Sequence, residues 1–385
     1  MTAASPNEPG SASVAPAEKR RPGPRFRELD GLRGIAALAV VFSHFGGGFD
    51  DLYPDAPHAF YRFDWGGLGV QLFFIISGFV IFMTARRARR PSDFAISRAA
   101  RLYPPYWISL VFSSLLILLF PVPGHGVTLI QFIANLTMVQ RWFMVDGVVG
   151  VYWTLAVEMQ FYAIIFALLL LTRCRLSERV VLWGCMAWSV ISWAVVLVVA
   201  PASAPVAQDD PRWVKLLTNI TVAEYAPLFV LGMALFLARE TGRHHSWVVL
   251  AIASAAGNAF VLRGLLSGVQ VSAVCAVAAF VMLRSRTRLL LAPSVQWYGK
   301  ISYSLYIIHA VPGYILIHHL WPIVGRNVAM VIALAVVSVV SWAVWKYGEQ
   351  SLGREAKRGL VRLRARVDSV RARPSSGPHI EGVGA

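Results

Sequence analysis

Few side chains within a run of apolar residues can do chemistry, so the ionisable ones found there are the first candidates for function. Arg33 and His44 stand in DGLRGIAALAVVFSHFGGG. Their offset of eleven positions, at 1.5 Å of helix rise each, separates them by about 16 Å along the axis; being close to three turns, it puts both on nearly one face. That face carries a guanidinium at the edge of a membrane and an imidazole deep within it. It suits a long ligand with a charged head and a reactive tail. Glu158, in VYWTLAVEMQFYAIIF, sits about 10 Å below the opposite surface by the same rise. In a hydrocarbon core of about 30 Å this depth coincides with that of His44, about 20 Å up from the other side. A carboxylate beside an imidazole would fix its tautomer, raise its basicity and stabilise the imidazolium during proton transfer. Depth alone leaves open which helices are neighbours, and a helix-packing hydrogen bond is the other reading of His44.

Arg98 and Arg101 in FAISRAARLYPPYW are spaced i, i+3, which places both guanidiniums on one helix face, in a geometry suited to bidentate phosphate contacts. Ordinary accumulation of arginine in cytoplasmic loops is the alternative. Pro104 and Pro105 mark an expected turn into the membrane. GKISYSLYIIHAVP places Tyr303, Tyr306 and His309 at helical spacing; the tyrosines read as an interfacial belt, and His309 as a second candidate about 12 Å above the inner surface, shallower than His44. Ser77 in FFIISGFVI reads as helix packing beside Gly78. His244–His245 and His318–His319 lack a matching carboxylate or cysteine, so no metal site is expected. Cys174, Cys185 and Cys275 lie in or beside apolar spans and suggest packing.

These residues must be held by membrane helices. The chain of 385 residues is 57% hydrophobic and only 15% charged, against roughly 25% charged in globular proteins. Apolar spans are expected at 31–49, 66–85, 104–121, 151–172, 180–200, 224–240, 247–263, 268–284, 302–321 and 327–346, with the pair at 247–284 forming an αα-hairpin. The fold class is an all-α polytopic bundle over 27–350, with a disordered tail at 1–26 and a basic, disordered tail at 351–385. An even number of spans puts both termini on one side. With that side cytoplasmic, only Arg62, Arg141, Arg212, Lys215, Arg263 and Arg326 of the 36 basic residues fall outside, as the positive-inside rule predicts. The net charge of +16 therefore points to orientation and to anionic lipid headgroups rather than to nucleic acid.

Five segments in order resemble the acyltransferase 3 family of integral membrane acyltransferases: RELDGLRGIAALAVVFSHF, GVQLFFIISGFVI, RAARLYPPYW, YWTLAVEMQFY and GKISYSLYIIHA. The resemblance implies ten transmembrane helices in the plasma (cytoplasmic) membrane and an acyl-CoA donor, commonly acetyl-CoA, reaching the enzyme from the cytosol. It implies transfer to a hydroxyl of a carbohydrate, as in surface polysaccharide, or of a glycosylated metabolite such as a macrolide, without a metal. It would make His44 the catalytic base, Glu158 its acidic partner, and Arg33, Arg98 and Arg101 the groups for the coenzyme A phosphates. Trp153, Tyr303 and His309 are further candidates within the matching blocks. The family's frequent Glu-Arg-Pro ending reads here as Glu349, Gln350 and Ser351, so no role is carried over to Glu349. Two alternatives stand beside direct transfer: a covalent acyl intermediate on His44 or His309, and a transporter using the same buried polar groups.

Overall fold

The computed structural model describes residues 26–202, 210–284 and 287–371, and among them there is helix and no strand. The helices are α1 (Arg27–Ser43), α2 (Phe49–Leu52), α3 (Gly67–Ala85), α4 (Pro91–Leu119), α5 (Leu129–Leu136), α6 (Trp153–Leu171), α7 (Glu178–Val199), α8 (Arg212–Thr221), α9 (Ala226–Thr241), α10 (His245–Arg263) and α11 (Leu265–Arg284). They continue with α12 (Pro293–Ile308), α13 (Ala310–Val324), α14 (Arg326–Val344) and α15 (Gly353–Arg371). Nine stretches of the described residues are long and apolar enough to cross a membrane, and α12 with α13 form a further apolar pair bent by 77° at the break between them. The result is an all-α polytopic membrane protein. The expected hairpin at 247–284 is α10 and α11, turned at Gly264 with φ +83°, a conformation that glycine adopts without steric cost.

The closest backbone approaches occur where glycines remove the side-chain layer. α1 and α12 pack extensively on one another; a Cβ on Gly299 would lie 2.0 Å from the Asp30 carbonyl oxygen, and one on Gly34 2.6 Å from that of Val295. α3 and α9 meet in the same way, a Cβ on Gly232 falling 2.1 Å from the Ile75 oxygen. In a membrane, where association relies on close packing rather than on hydrophobic burial, small residues at such crossings let helices approach.

Two helix breaks follow from local sequence. After α1 the chain takes a π-helical turn over His44–Gly48, in which Gly46 is non-helical at φ −87°, ψ −105°. The following glycines of FGGG remove the Cβ atoms that would resist it. The second break separates α12 from α13 at His309. Pro312 has no N–H to offer the Ile308 carbonyl, so the ladder fails there. Ser109 on α4 donates to the neighbouring Ile307 carbonyl at 2.8 Å. The span expected as one straight helix over 302–321 is thus two.

Two further expectations are corrected. α4 begins at Pro91 and runs through Pro104 and Pro105, so there is no turn at the prolines, and Arg98 and Arg101 share one continuous helix with the third span. Each proline removes one hydrogen bond to the carbonyl four residues back, and the helix continues. Within the tail expected to be disordered from 351, residues Gly353–Arg371 form α15. It docks on the start of α4 through Arg364, paired with Asp93, and through Arg90 to Asp368 at 2.8 Å. Residues 1–25 of the expected N-terminal tail and 372–385 of the C-terminal one lie outside the described residues.

Gly299→Ala should destabilise the bundle by about 1–3 kcal/mol, because its methyl group meets backbone rather than a movable side chain. Gly184→Ala on α7, where a Cβ meets nothing within 4 Å, should be neutral or stabilising. Thermal unfolding midpoints in detergent compare the two.

Candidate active site

A narrow cavity of about 80 Å³ opens inside the bundle between α1, α3, α4, α6 and α12. Arg33, Arg98 and Arg101 line one end, which we call the arginine end, and Tyr306 lines the other. The wall between them is largely apolar, with Phe73, Ile76, Val80 and Leu155, interrupted by Ser77, Glu158, Tyr162 and Tyr303. Glu158 is the polar centre of the wall: its Oε1 accepts from Ser77 Oγ at 2.8 Å and from Tyr162 OH at 2.7 Å. Arg98 is buried, with its Nη2 3.3 Å from Thr84 Oγ1. Tyr303 donates to the Leu102 carbonyl at 3.1 Å.

Arg33 and Arg101 also line a second, wider and more open space of about 400 Å³ with Lys300 and Glu349. These two guanidiniums therefore stand where the open space meets the enclosed one. Glu349 accepts from Ser304 Oγ at 2.6 Å, so the residue to which no role was carried over belongs to this vestibule.

His44 and His309 face each other beyond Tyr306, ring centroids 5.0 Å apart and planes at 77°. Their meeting follows from the glycine crossing. α1 and α12 run side by side in the same direction from the Gly34–Gly299 contact, and each histidine lies ten residues further on. His309 is therefore level with His44 rather than shallower, since α12 starts at Pro293, nine residues before the span expected from 302. The Nδ1 of His44 donates to the Val40 carbonyl at 2.8 Å, and that of His309 to Tyr306 at 2.9 Å. A carbonyl can only accept, so in the neutral ring of each histidine the lone pair is on Nε2. His309 Nε2 is buried without a partner among the described residues.

The structure thus brings together Arg33, Arg98, Arg101, Glu158 and Tyr303 in one cavity, and His44 with His309 beyond it. It does not bring Glu158 to His44: the carboxylate's partners are Ser77 and Tyr162. Thr154 bonds Tyr306 at 2.9 Å; Glu158 is one turn from Thr154 toward the arginine end, and His309 three residues from Tyr306 the other way, which separates them by about 10 Å. Tyr303 and Tyr306 are buried lining residues rather than an interfacial belt. Trp153 lies outside the cavity, against Tyr225 and under the Arg141 guanidinium at 5.6 Å. Ser77, read as packing, supplies a hydrogen bond to Glu158, while the close packing belongs to Gly78, where a Cβ would lie 2.3 Å from the Phe229 oxygen. Tyr162 was findable from its i, i+4 spacing to Glu158, whereas Ser77, 81 residues away on α3, carried no signal of that contact.

The family model of the acyltransferase 3 family, described as an acyltransferase domain, matches residues 26–346. The chain belongs to the acyltransferase 3 family. It is 28% identical over 235 residues to the acyltransferase MdmB of Streptomyces mycarofaciens, covering 57% of this chain and 58% of that one. It is 33% identical over 134 residues to the exopolysaccharide production protein ExoZ of Rhizobium meliloti (strain 1021), covering 32% of this chain and 40% of that one. The chain thus spans about half the length of these curated relatives. No solved structure matches it. The family match embraces both glycine-crossed helix pairs, the cavity and both histidines.

Tyr162→Phe removes one of the two hydroxyls holding the half-buried Glu158 carboxylate and should destabilise the protein by about 1.5–3 kcal/mol, the range for a hydrogen bond to a charged group. An unfolding midpoint equal to that of wild type would mean that Glu158 is not held in this way.

Proposed function

We propose that this protein is a multi-pass O-acyltransferase of the plasma (cytoplasmic) membrane, with both termini in the cytoplasm. It moves an acyl group, acetyl by preference, from acyl-CoA to a hydroxyl of a carbohydrate or of a glycosylated metabolite. The observation that carries the reading is the cavity itself: three guanidiniums at one end, an apolar wall, and two imidazoles with free Nε2 lone pairs just beyond the other end. It matches a donor with a phosphorylated head, a long arm and a reactive thioester.

Arg33 and Arg101, with Lys300 beside them, hold the phosphates at the vestibule. Arg98 lies further in, and Glu158, Ser77 and Tyr303 offer hydrogen bonds to the amides of the arm. The thioester reaches Tyr306 and the histidine pair. His44 Nε2 removes the proton of the acceptor hydroxyl as its oxygen attacks the thioester carbonyl carbon. The carbon–sulfur bond then breaks, and the thiolate takes that proton from Nε2 and leaves as coenzyme A. The Val40 carbonyl, rather than a carboxylate, sets the His44 tautomer. The name of ExoZ supports a polysaccharide among acceptors; a macrolide-type metabolite is the alternative.

Purified protein in detergent, given acetyl-CoA and an acceptor panel, should release free coenzyme A. His44→Ala should slow this by about 10²–10⁴-fold, the usual worth of a general base, with donor binding retained. Arg33→Ala and Arg101→Ala should raise KM for the donor more than they lower kcat. Transport of a solute with neither thioester cleavage nor donor binding would overturn the assignment in favour of a transporter.

A further inference from the structure

Arg326 is one of the six basic residues that the positive-inside pattern leaves on the other side, and its side chain is only 3% exposed. It opens α14 at the end of the bundle opposite the arginine end. Its Nη2 donates to the Phe45 carbonyl and lies 3.4 Å from Asp50 Oδ1. Its guanidinium sits 4.0 Å over the Phe49 ring. Phe45 lies in the π-helical turn that ends α1 and directly follows His44, while Phe49 and Asp50 open α2 just after that turn.

The Phe45 carbonyl lies within the π-helical turn, where regular i to i+4 bonding is interrupted. A buried carbonyl left unpaired there would be costly, and a charged donor meets it. The Phe45 ring in turn fills the space above Gly313, where a Cβ would lie 2.2 Å from it, and its centroid is 6.4 Å from that of His309. Arg326 therefore ties three elements together beside the histidine pair: the start of α14, the turn after His44 and the first turns of α13. Asp50, itself buried and also bonded to His58 Nδ1 at 3.2 Å, balances its charge.

We propose that Arg326 is a positioning residue, which holds the π-helical turn of α1 through the Phe45 carbonyl and so keeps His44 against His309. Without it the turn is free to regain α-helical bonding, which would move the backbone next to His44. The inference rests on His44 acting in acyl transfer, and its effect should fall on the chemical step, since the donor's phosphate sites lie at the far end of the cavity.

The test uses the full-length protein carrying Arg326→Lys, Arg326→Met, and Arg326→Met with Asp50→Asn. The double variant removes both charges and so avoids stranding a buried carboxylate, which keeps it foldable. Turnover and donor KM are measured together with the rate at which diethylpyrocarbonate labels His309, which is 0% exposed. The double variant should lose on the order of 10²-fold in kcat, as for a small misplacement of a reacting group, with donor KM within about twofold. His309 labelling should quicken, and Arg326→Lys should restore both readouts toward wild type. Wild-type labelling and kcat in the double variant would overturn the proposal. So would equal damage to KM and kcat, which would mark general loss of structure. If wild type transfers no acyl group, the transferase reading fails while the labelling still reports on the clamp: quickened labelling supports it and unchanged labelling refutes it.

Discussion

The bundle depends on one contact, the backbone-to-backbone crossing of α1 and α12 at Gly34 and Gly299. With no Cβ on either side, the two helices come close enough for the register between them to be fixed by main-chain atoms, which cannot adapt as side chains can. Everything of chemical interest on these helices is then placed by counting. Arg33 stands at the crossing itself, Ser302 and Tyr303 one turn on from Gly299, and His44 and His309 ten residues on from their glycines. α3 and α9 repeat the device at Gly78 and Gly232, and that crossing carries Ser77 to the Glu158 carboxylate.

Both histidines sit where a helix fails. A regular helix uses its carbonyls for itself, whereas a π-helical turn or a proline break frees some of them and redirects the side chains nearby. The freed groups here are taken by Ser109 at Ile307 and by Arg326 at Phe45. Such interruptions are tolerated at membrane depth when neighbouring helices satisfy the backbone. The imidazoles are consequently oriented by carbonyls of their own helices, and the carboxylate is left to organise the cavity wall.

The membrane-spanning helices were legible because hydropathy reports burial in lipid directly, and the candidate groups because an ionisable residue in an apolar run is rare. What stayed hidden was lateral: which helix lies beside which. Glu158 and His44 share a calculated depth, yet depth measured from assumed span ends accumulates an error of a turn or more, enough to separate them. His309 lies deeper than its apolar run suggests for the same reason, its helix beginning well before that run does. Other signals were present in the letters. Pro312 marks the break after His309, and the glycine run after Phe45 marks the one in α1. The i, i+3 and i, i+4 apolar spacing of Leu360, Leu363 and Val367 indicates a helix in the segment expected to be disordered.

The central claim is that a donor held at the arginine end delivers its acyl carbon to the histidine pair. Cryo-electron microscopy of the protein with a non-hydrolysable thioether analogue of acetyl-CoA tests it most directly. The predicted density has phosphates on Arg33 and Arg101, an arm passing Glu158 and Tyr303, and an acyl end beyond Tyr306 at His44 and His309. Phosphates bound elsewhere, or an acyl end halted beside Glu158, would contradict the account.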